Sequence, residues 1–209
     1  MDKYLLKTVA IAAASLALVA CSSTPQPAAT TETPAATAPP KPAGPVTGKT
    51  AFYEMYKPAR TWAADIQALS LSSGELPGIK NEDGKAAVWT AVFGSPSLRQ
   101  ARHFTYSIAA AGTFEKGVRA DVPEAWSGAN KNAMPFQNSD FTVDSDAAYK
   151  TVADKAADWL KDHADKKWTM TLGAAERFPA PVWLVLWGEQ KSGGYQQFVN
   201  ATTGEVLTK

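Results

Sequence analysis

The chain is poor in cysteine and histidine, which limits the chemistry open to it. It has one cysteine, Cys21, and two histidines, His103 and His163. A single cysteine excludes an internal disulfide, so the folded part depends on packing for its stability. Because neither a His-x-x-x-His pattern nor a cysteine pair is present, we predict no zinc site and no bound metal. We expect both histidines to be surface or core residues without a catalytic role.

The usual sequence signatures of catalysis are missing as well. The chain has no Gly-x-Ser-x-Gly elbow and no phosphate-binding glycine loop. A Ser-His-Asp arrangement assembled by folding stays open, but no motif favours it. We therefore predict that the protein is not an enzyme and uses no cofactor.

Two sets of acidic residues are interpreted as structural. The one acidic cluster lacks the spacing and the bidentate glutamate of a calcium loop, and it is typical of a helix cap with a solvated loop. Asp65 and Asp158 follow or end predicted helices, where a structural role beside Arg60 or Lys155 is expected. The cluster consists of Asn138, Asp140, Asp144 and Asp146.

No excess of charge of either sign is present. The chain has 21 lysines and arginines against 20 aspartates and glutamates. Neither a basic stripe nor an acidic tail occurs. Nucleic acid is therefore not expected as a partner, since its binding requires concentrated positive charge.

Residues 1–20 have the form of a secretion signal. The basic start MDKYLLK is followed by an apolar run that is shorter than the ~20 residues of a membrane span. Leu18-Val19-Ala20-Cys21 then matches a lipoprotein box, which predicts cleavage before a lipidated Cys21. Two or more acyl chains, such as palmitate, would anchor the protein stably. An ordinary signal peptide with an incidental cysteine is the alternative.

The predicted location is the cell envelope, with the membrane as a partner through the lipid on Cys21. Ser22, rather than aspartate, follows the cysteine, which in a diderm predicts the outer membrane facing the periplasm. Residues 21–48 are rich in alanine, proline and threonine and have no recurring large apolar residue. They are expected to form a disordered linker, because they cannot bury enough surface to offset the entropy of ordering.

The rest of the chain contains an internal repeat. Tyr56-Lys57 recurs as Tyr149-Lys150, and Val88-Trp89 recurs as Val182-Trp183. A third block matches Tyr106 to Phe198. The nearly constant offset predicts a duplicated module, with a first copy and connecting loop over 49–140 and a second copy over 141–209.

Each copy is predicted to be an α-β-β-β unit, which makes the fold class α+β. Helical spacing and capping residues predict helices over about 50–65 and 146–164. Apolar runs separated by turn residues predict hairpin-linked antiparallel strands. These strands cover about 66–71, 86–93 and 103–109 in the first copy, and 168–172, 182–187 and 195–200 in the second.

The central strand of each copy is apolar on both faces. Trp89 and Phe93 share one face in the first copy, and Trp183 and Trp187 share one face in the second. An antiparallel sheet with one wet face would alternate apolar and polar residues. We therefore expect both faces to be covered, one by a helix and the other by the second copy or a partner. The four rings are candidates for core, or for an aromatic groove that binds peptide or glycan.

The segment VWLVLWGEQKSGGYQQFVNATTGEVL, residues 182–207, resembles the end of a PepSY module. Phe198 to Val206 fits the closing motif of that family, with Asn200 where aspartate is usual. The resemblance covers 145–209 well, and the first copy matches only through the repeat. It implies a small extracytoplasmic module of a family of poorly defined function, often suggested to bind or inhibit peptidases.

These observations together predict a membrane-anchored envelope lipoprotein that acts as a non-catalytic protein- or peptide-binding module, for instance as a peptidase modulator. A structural or assembly lipoprotein is the alternative. A hydrolase is a distant third.

Overall fold

A computed structural model describes residues 44–178 and 180–208. The predicted signal peptide, Cys21 and most of the predicted linker lie outside the described residues. Within them the fold is α+β, with a nine-stranded antiparallel sheet and three α-helices. No helix in this part of the chain is long and apolar enough to cross a membrane. The helices are α1 (Gly48–Trp62), α2 (Ser145–Lys155) and α3 (Ala157–Asp162).

The sheet has the strand order β4-β3-β2-β1-β6-β7-β8-β9, and the short β5 pairs with β3. The two halves of the chain are therefore joined edge to edge, through the pairing of β1 with β6. The strands are β1 (Gln67–Gly74), β2 (Val88–Ser95), β3 (Gln100–Ser107), β4 (Gly117–Ala120), β5 (Glu124–Ala125), β6 (Trp168–Gly173), β7 (Val182–Trp187), β8 (Tyr195–Asn200) and β9 (Val206–Leu207).

The six predicted strands are confirmed to within a few residues as β1–β3 and β6–β8. Sequence reasoning missed β4, β5 and β9, which are two to four residues long and have no apolar alternation. All pairings in the sheet are antiparallel, as hairpin connections require.

The helices differ from the prediction at their ends. Helix α1 begins at Gly48, and Val46 already pairs with Ala86 through two backbone hydrogen bonds of 3.1 and 3.0 Å. The last residues of the predicted linker, 46–48, therefore belong to the fold. The single helix predicted over 146–164 is interrupted at Ala156, whose ψ of 2° is not helical, and continues as α3.

One face of the sheet is covered by the helices and forms the core. Side chains at alternate positions of β2 and β7 point to this face, which contains all four candidate aromatic residues. From the helices, residues spaced three or four apart complete it, including Ala51, Met55 and Ala59 of α1.

The other face of the sheet is largely open, which corrects the expectation that the second copy covers it. Thr169 and Thr171 are exposed there, and Leu184 and Leu186 are half-buried. The reason is topological, because the β1–β6 pairing places the second half beside the first and not on top of it. This face carries mostly threonine and serine along β1 and β6, as expected of a solvated sheet face.

Candidate functional site

The four candidate aromatic residues lie in the core and not at a surface. Trp89, Phe93 and Trp183 have no exposed area, and Trp187 is 2% exposed. The rings of Trp89 and Trp183 meet edge to face at 6.1 Å across the junction of the two halves. Both indole N–H groups donate to a backbone carbonyl, Trp89 to Val46 at 3.0 Å and Trp183 to Val143 at 2.9 Å.

Beside these rings, the N-termini of α1 and α2 meet and share their caps. One oxygen of Asp144 accepts from the backbone N–H groups of Ser145, at 2.7 Å, and Lys49, at 2.9 Å. The buried Ser145 hydroxyl accepts from the N–H of Gly48 at 2.8 Å and donates to the carbonyl of Gly84 at 2.6 Å. The capping role predicted for Asp144 is confirmed, and it extends to both helices.

Two more residues of the acidic cluster are also tied to backbone groups. Asp140 accepts from the N–H of Gln137 at the start of a 3₁₀ turn, and Asp146 accepts from the N–H of Ala147. Among residues 44–178 and 180–208, no three histidine, cysteine or acidic side chains come together as metal ligands.

Asp65 organises the β2–β3 hairpin. It accepts from the hydroxyl of Ser95 at 2.6 Å and from the N–H of Ser97 at 2.8 Å. Arg60 bonds the carbonyl of Ala64 instead, and Asp158 pairs with Lys161 at 2.7 Å, so the partners predicted for the two acids were wrong. Ser95 is fully buried and also accepts from the N–H of Leu98, so this serine–aspartate contact serves structure.

The Ser95 hydroxyl, followed by the N–H of Ser97, lowers the pKa of Asp65 below its ordinary value of 3.8. A carboxylate whose pKa is lower in the folded state than in the unfolded state stabilises the fold at pH values above its ordinary pKa. This contribution is lost as the pH falls through the lowered pKa. We expect Asp65→Asn to be less stable than the parent at pH 6, and the difference to shrink at pH 3, in urea titrations. The exposed Asp158→Asn is the control, with little effect at either pH. An Asp65→Asn deficit equally large at both pH values would contradict this assignment.

The two predicted histidines lie in different surroundings. His103 Nε2 is 3.3 Å from Glu124 Oε1, and both side chains are substantially exposed. His163 stacks on Trp159 with ring centroids 4.0 Å apart, and its Nδ1 lies 2.8 Å from the carbonyl oxygen of Trp159. Neither has a serine among the hydrogen-bond partners described.

The described residues form a groove between the β1–β2 loop and the helices of the second half. It has two arms, of about 710 and 540 Å³, which share Asp83 and Tyr149. Volumes of this size are typical of ligand sites. The floor is aromatic, because the Tyr149 ring packs 5.3 Å from that of Trp168 and 5.2 Å from that of Trp187.

The β1–β2 loop forms one wall of the groove. Its tip is a two-residue turn at Asp83 and Gly84, with φ of 44° and 76°, closed by hydrogen bonds between Glu82 and Lys85. The turn rests on the start of α2, where Ser145 bonds the carbonyl of Gly84. The wall is thus fixed to the second half of the chain by a buried hydrogen bond.

The rim of the groove carries charges of both signs. Lys167 pairs with Glu75 at 2.5 Å and Lys150 pairs with Asp154 at 2.8 Å, and all four side chains are more than half exposed. Such surface pairs contribute about 0–1 kcal/mol each and are readily displaced. Burial, and then the charge of Asp83, raise the pKa of Tyr149, which therefore stays a neutral phenol.

Sequence reasoning missed Tyr149 and Trp168 as residues of this groove, and Trp187, which it named as a candidate for core or groove, borders the groove from within the core. In the sequence, Tyr149 stands out only as a marker of the repeat, and Trp168 only as the start of a strand. Folding brings a loop of the first half against a helix of the second, and no local pattern encodes that contact. The Asn81-Glu82-Asp83-Gly84 turn is the one available signal.

Comparison with protein-family models, with curated proteins and with solved structures finds no match to this chain. The PepSY resemblance therefore stays a prediction.

Proposed function

We propose that the protein is a membrane-anchored envelope lipoprotein whose folded part is a non-catalytic module for binding a protein or peptide. The observation that carries the binding proposal is the groove, with an aromatic floor, a fixed wall and a polar rim. Sites that recognise peptides commonly combine apolar anchors with such rims. Modulation of an envelope peptidase is one use that the PepSY resemblance suggests.

The finer architecture proposed is a pair of tandem α-β-β-β modules. Corresponding features in the two halves support it. Both helices begin beside the junction, at Gly48 and Ser145, which lie 97 residues apart. Both central strands place a tryptophan there, and each tryptophan bonds a carbonyl just before its own helix. Helices α1 and α2 each contact the sheet of their own half.

The proposal of a non-catalytic role rests on how the polar groups are used. A hydrolase needs a nucleophile, a base and a stabiliser for developing charge within reach of one another. In the part of the chain described, the closest serine–acid pair, Ser95 and Asp65, is engaged in hairpin bonds. The groove itself is lined by a phenol, the amide of Asn81 and charged side chains, some of them in surface ion pairs, and no serine is among its lining residues.

A displayed library of random decapeptides, panned against the full chain in mild detergent, tests the binding role. We expect enrichment of related peptides and no turnover of fluorogenic peptide, ester or glycan substrates. A library that yields no binder would support the structural lipoprotein instead. Turnover that disappears when one polar residue is changed would reveal an enzyme.

The anchor is tested separately, through Cys21. The wild-type chain and Cys21→Ser are expressed with their N-terminal segments and partitioned in detergent. We expect only the wild type to enter the detergent phase, since two or more acyl chains hold a protein on a membrane. Equal recovery of both forms in the aqueous phase, after cleavage at the same residue, would show that the cysteine is incidental.

A further inference from the structure

The seam between β1 and β6 is short and ends differently on its two sides. Its ladder consists of three residue pairs, from Ser70–Gly173 to Ser72–Thr171. Strand β1 has eight residues and β6 has six, so both continue beyond their mutual pairing. Twisted strands commonly separate in this way, and each separation leaves backbone groups that need partners.

At one end, a segment of the connecting loop fills the gap. The N–H of Phe136 donates to the carbonyl of Ala68 at 3.0 Å, and the N–H of Met134 donates to that of Ala174 at 2.9 Å. Residues 134–136 therefore bond to both strands at once. The Phe136 side chain is 4% exposed, and its ring lies 6.4 Å from that of Phe52 on α1. An extended segment with one aromatic anchor thus completes this end.

At the other end, the seam opens into the groove. The backbone N–H of Met170 donates to the side chain of Ser73 at 2.8 Å. The backbone polar groups of Met170 therefore point toward β1. The backbone N–H and C=O groups of successive strand residues point to opposite sides. Trp168 is two residues before Met170, so its backbone groups also point toward the β1 side, which here is the groove. Beyond Ser73 the strands are bridged by the exposed Glu75–Lys167 ion pair.

Although they are filled differently, the two ends correspond in the positions of their residues. Phe52 and Tyr149 occupy the same position in their helices, because Gly48 and Ser145 begin them. In the first half Ala68 pairs with Phe93, and in the second half Trp168 pairs with Trp187, so Ala68 and Trp168 occupy corresponding strand positions. The place of Phe136 over Phe52 therefore corresponds to the groove over Tyr149. Trp168 stands in place of the small Ala68, and this residue, 8% exposed, packs its ring against that of Tyr149 beneath the groove.

We propose that the groove binds an extended peptide segment that hydrogen-bonds to the free end of the β1–β6 seam and seats an aromatic side chain on Tyr149 and Trp168. The segment at 134–136 shows the mode of binding within the same molecule. Backbone bonds to strand ends and one apolar anchor are the elements of strand addition. This inference rests on the proposed binding function and names the kind of ligand.

The probe is the synthetic peptide KNAMPFQN, which copies residues 131–138 and carries a fluorescent label. Binding to the full chain in mild detergent is followed by fluorescence anisotropy. We expect saturable binding, and a peptide with alanine in place of phenylalanine should bind at least about tenfold more weakly, because the phenyl ring is the apolar anchor that binding buries.

A groove-blocking variant locates the binding. Ala164 is exposed and lines the groove, so Ala164→Trp should fill it without disturbing the core. Ala157→Trp places the same bulk at an exposed position of α3 that does not line the groove. We expect binding to weaken at least about tenfold in Ala164→Trp and to be unchanged in Ala157→Trp.

The outcomes separate this inference from the broader function. If Ala164→Trp, or replacement of the phenylalanine in the peptide, leaves the affinity unchanged, the inference is overturned while peptide binding itself stands. Absence of KNAMPFQN binding, together with enrichment of other peptides from the library, would overturn it in the same way. If the library also yields no binder, the proposed function itself fails.

Discussion

Replacing Trp183 with alanine is expected to lower the free energy of unfolding by about 3–5 kcal/mol, and Trp89→Ala by a similar amount. Both side chains are fully buried and fill the space where the sheet and the two helix N-termini meet. Their removal also leaves a backbone carbonyl without its N–H donor. Domains of this size commonly have a free energy of unfolding of only about 5–15 kcal/mol, so either change removes a large part of the total stability.

Urea titrations of the single and double variants test this contact. Because the two rings touch, their effects should not add, and a coupling of about 0.5–3 kcal/mol is expected. Trp126→Ala is the matched control, since that ring is half-buried on a loop and packs over Gly94. Losses under about 1 kcal/mol for both core tryptophans would contradict their burial, and strict additivity would contradict the contact.

The strand positions were predictable because their signal is local. Each of the six long strands contains apolar residues between glycine, proline or polar turn residues, and the predicted bounds lie within a few residues of those in the structure. The edge strands were not predictable, since Gly117–Ala120 owes its pairing to β3 and not to its own composition. A short segment of that kind becomes a strand only when a neighbour offers its backbone.

Matches at a nearly constant offset are visible in the sequence, but the strand register and the helix starts pair some residues differently by a few positions. The sequence matches Tyr106 to Phe198, whereas in the structure Trp89 pairs with Tyr106 and Trp183 pairs with Val199. A slip of one residue moves a side chain to the other face of a sheet, and Phe198 accordingly packs on the open face against Phe178.

The helices show a similar displacement. The sequence matches Tyr56 to Tyr149, whereas the helix starts place Phe52 at the equivalent position. The sequence alignment pairs two tyrosines because they are alike. Counting from the first residue of each helix, and following the strand register, pairs different residues. The groove is hidden in the sequence because Tyr149 meets Trp168 and Trp187 only in the folded chain.

The wall of the groove can be tested at Gly84. This residue has φ of +76°, and a Cβ there would lie 2.5 Å from the carbonyl oxygen of Ser145 and 2.8 Å from Cα of Asp146. Both are backbone atoms of α2, so the turn would have to lift off the helix. Gly84→Ala is expected to cost about 3–4 kcal/mol, from left-handed strain together with overpacking.

Gly78 provides the control, because it has φ of +81° and a Cβ added there would meet no atom within 4 Å. Gly78→Ala should therefore cost only the strain, about 1–2 kcal/mol, in the same urea titration. The difference between the two variants measures the docking of the turn on α2. Equal losses would show that the turn does not press on the helix. Where Gly84→Ala remains folded, the lifted wall should also weaken KNAMPFQN binding, whereas Gly78→Ala should leave it unchanged, because the turn on α2 forms one side of the groove.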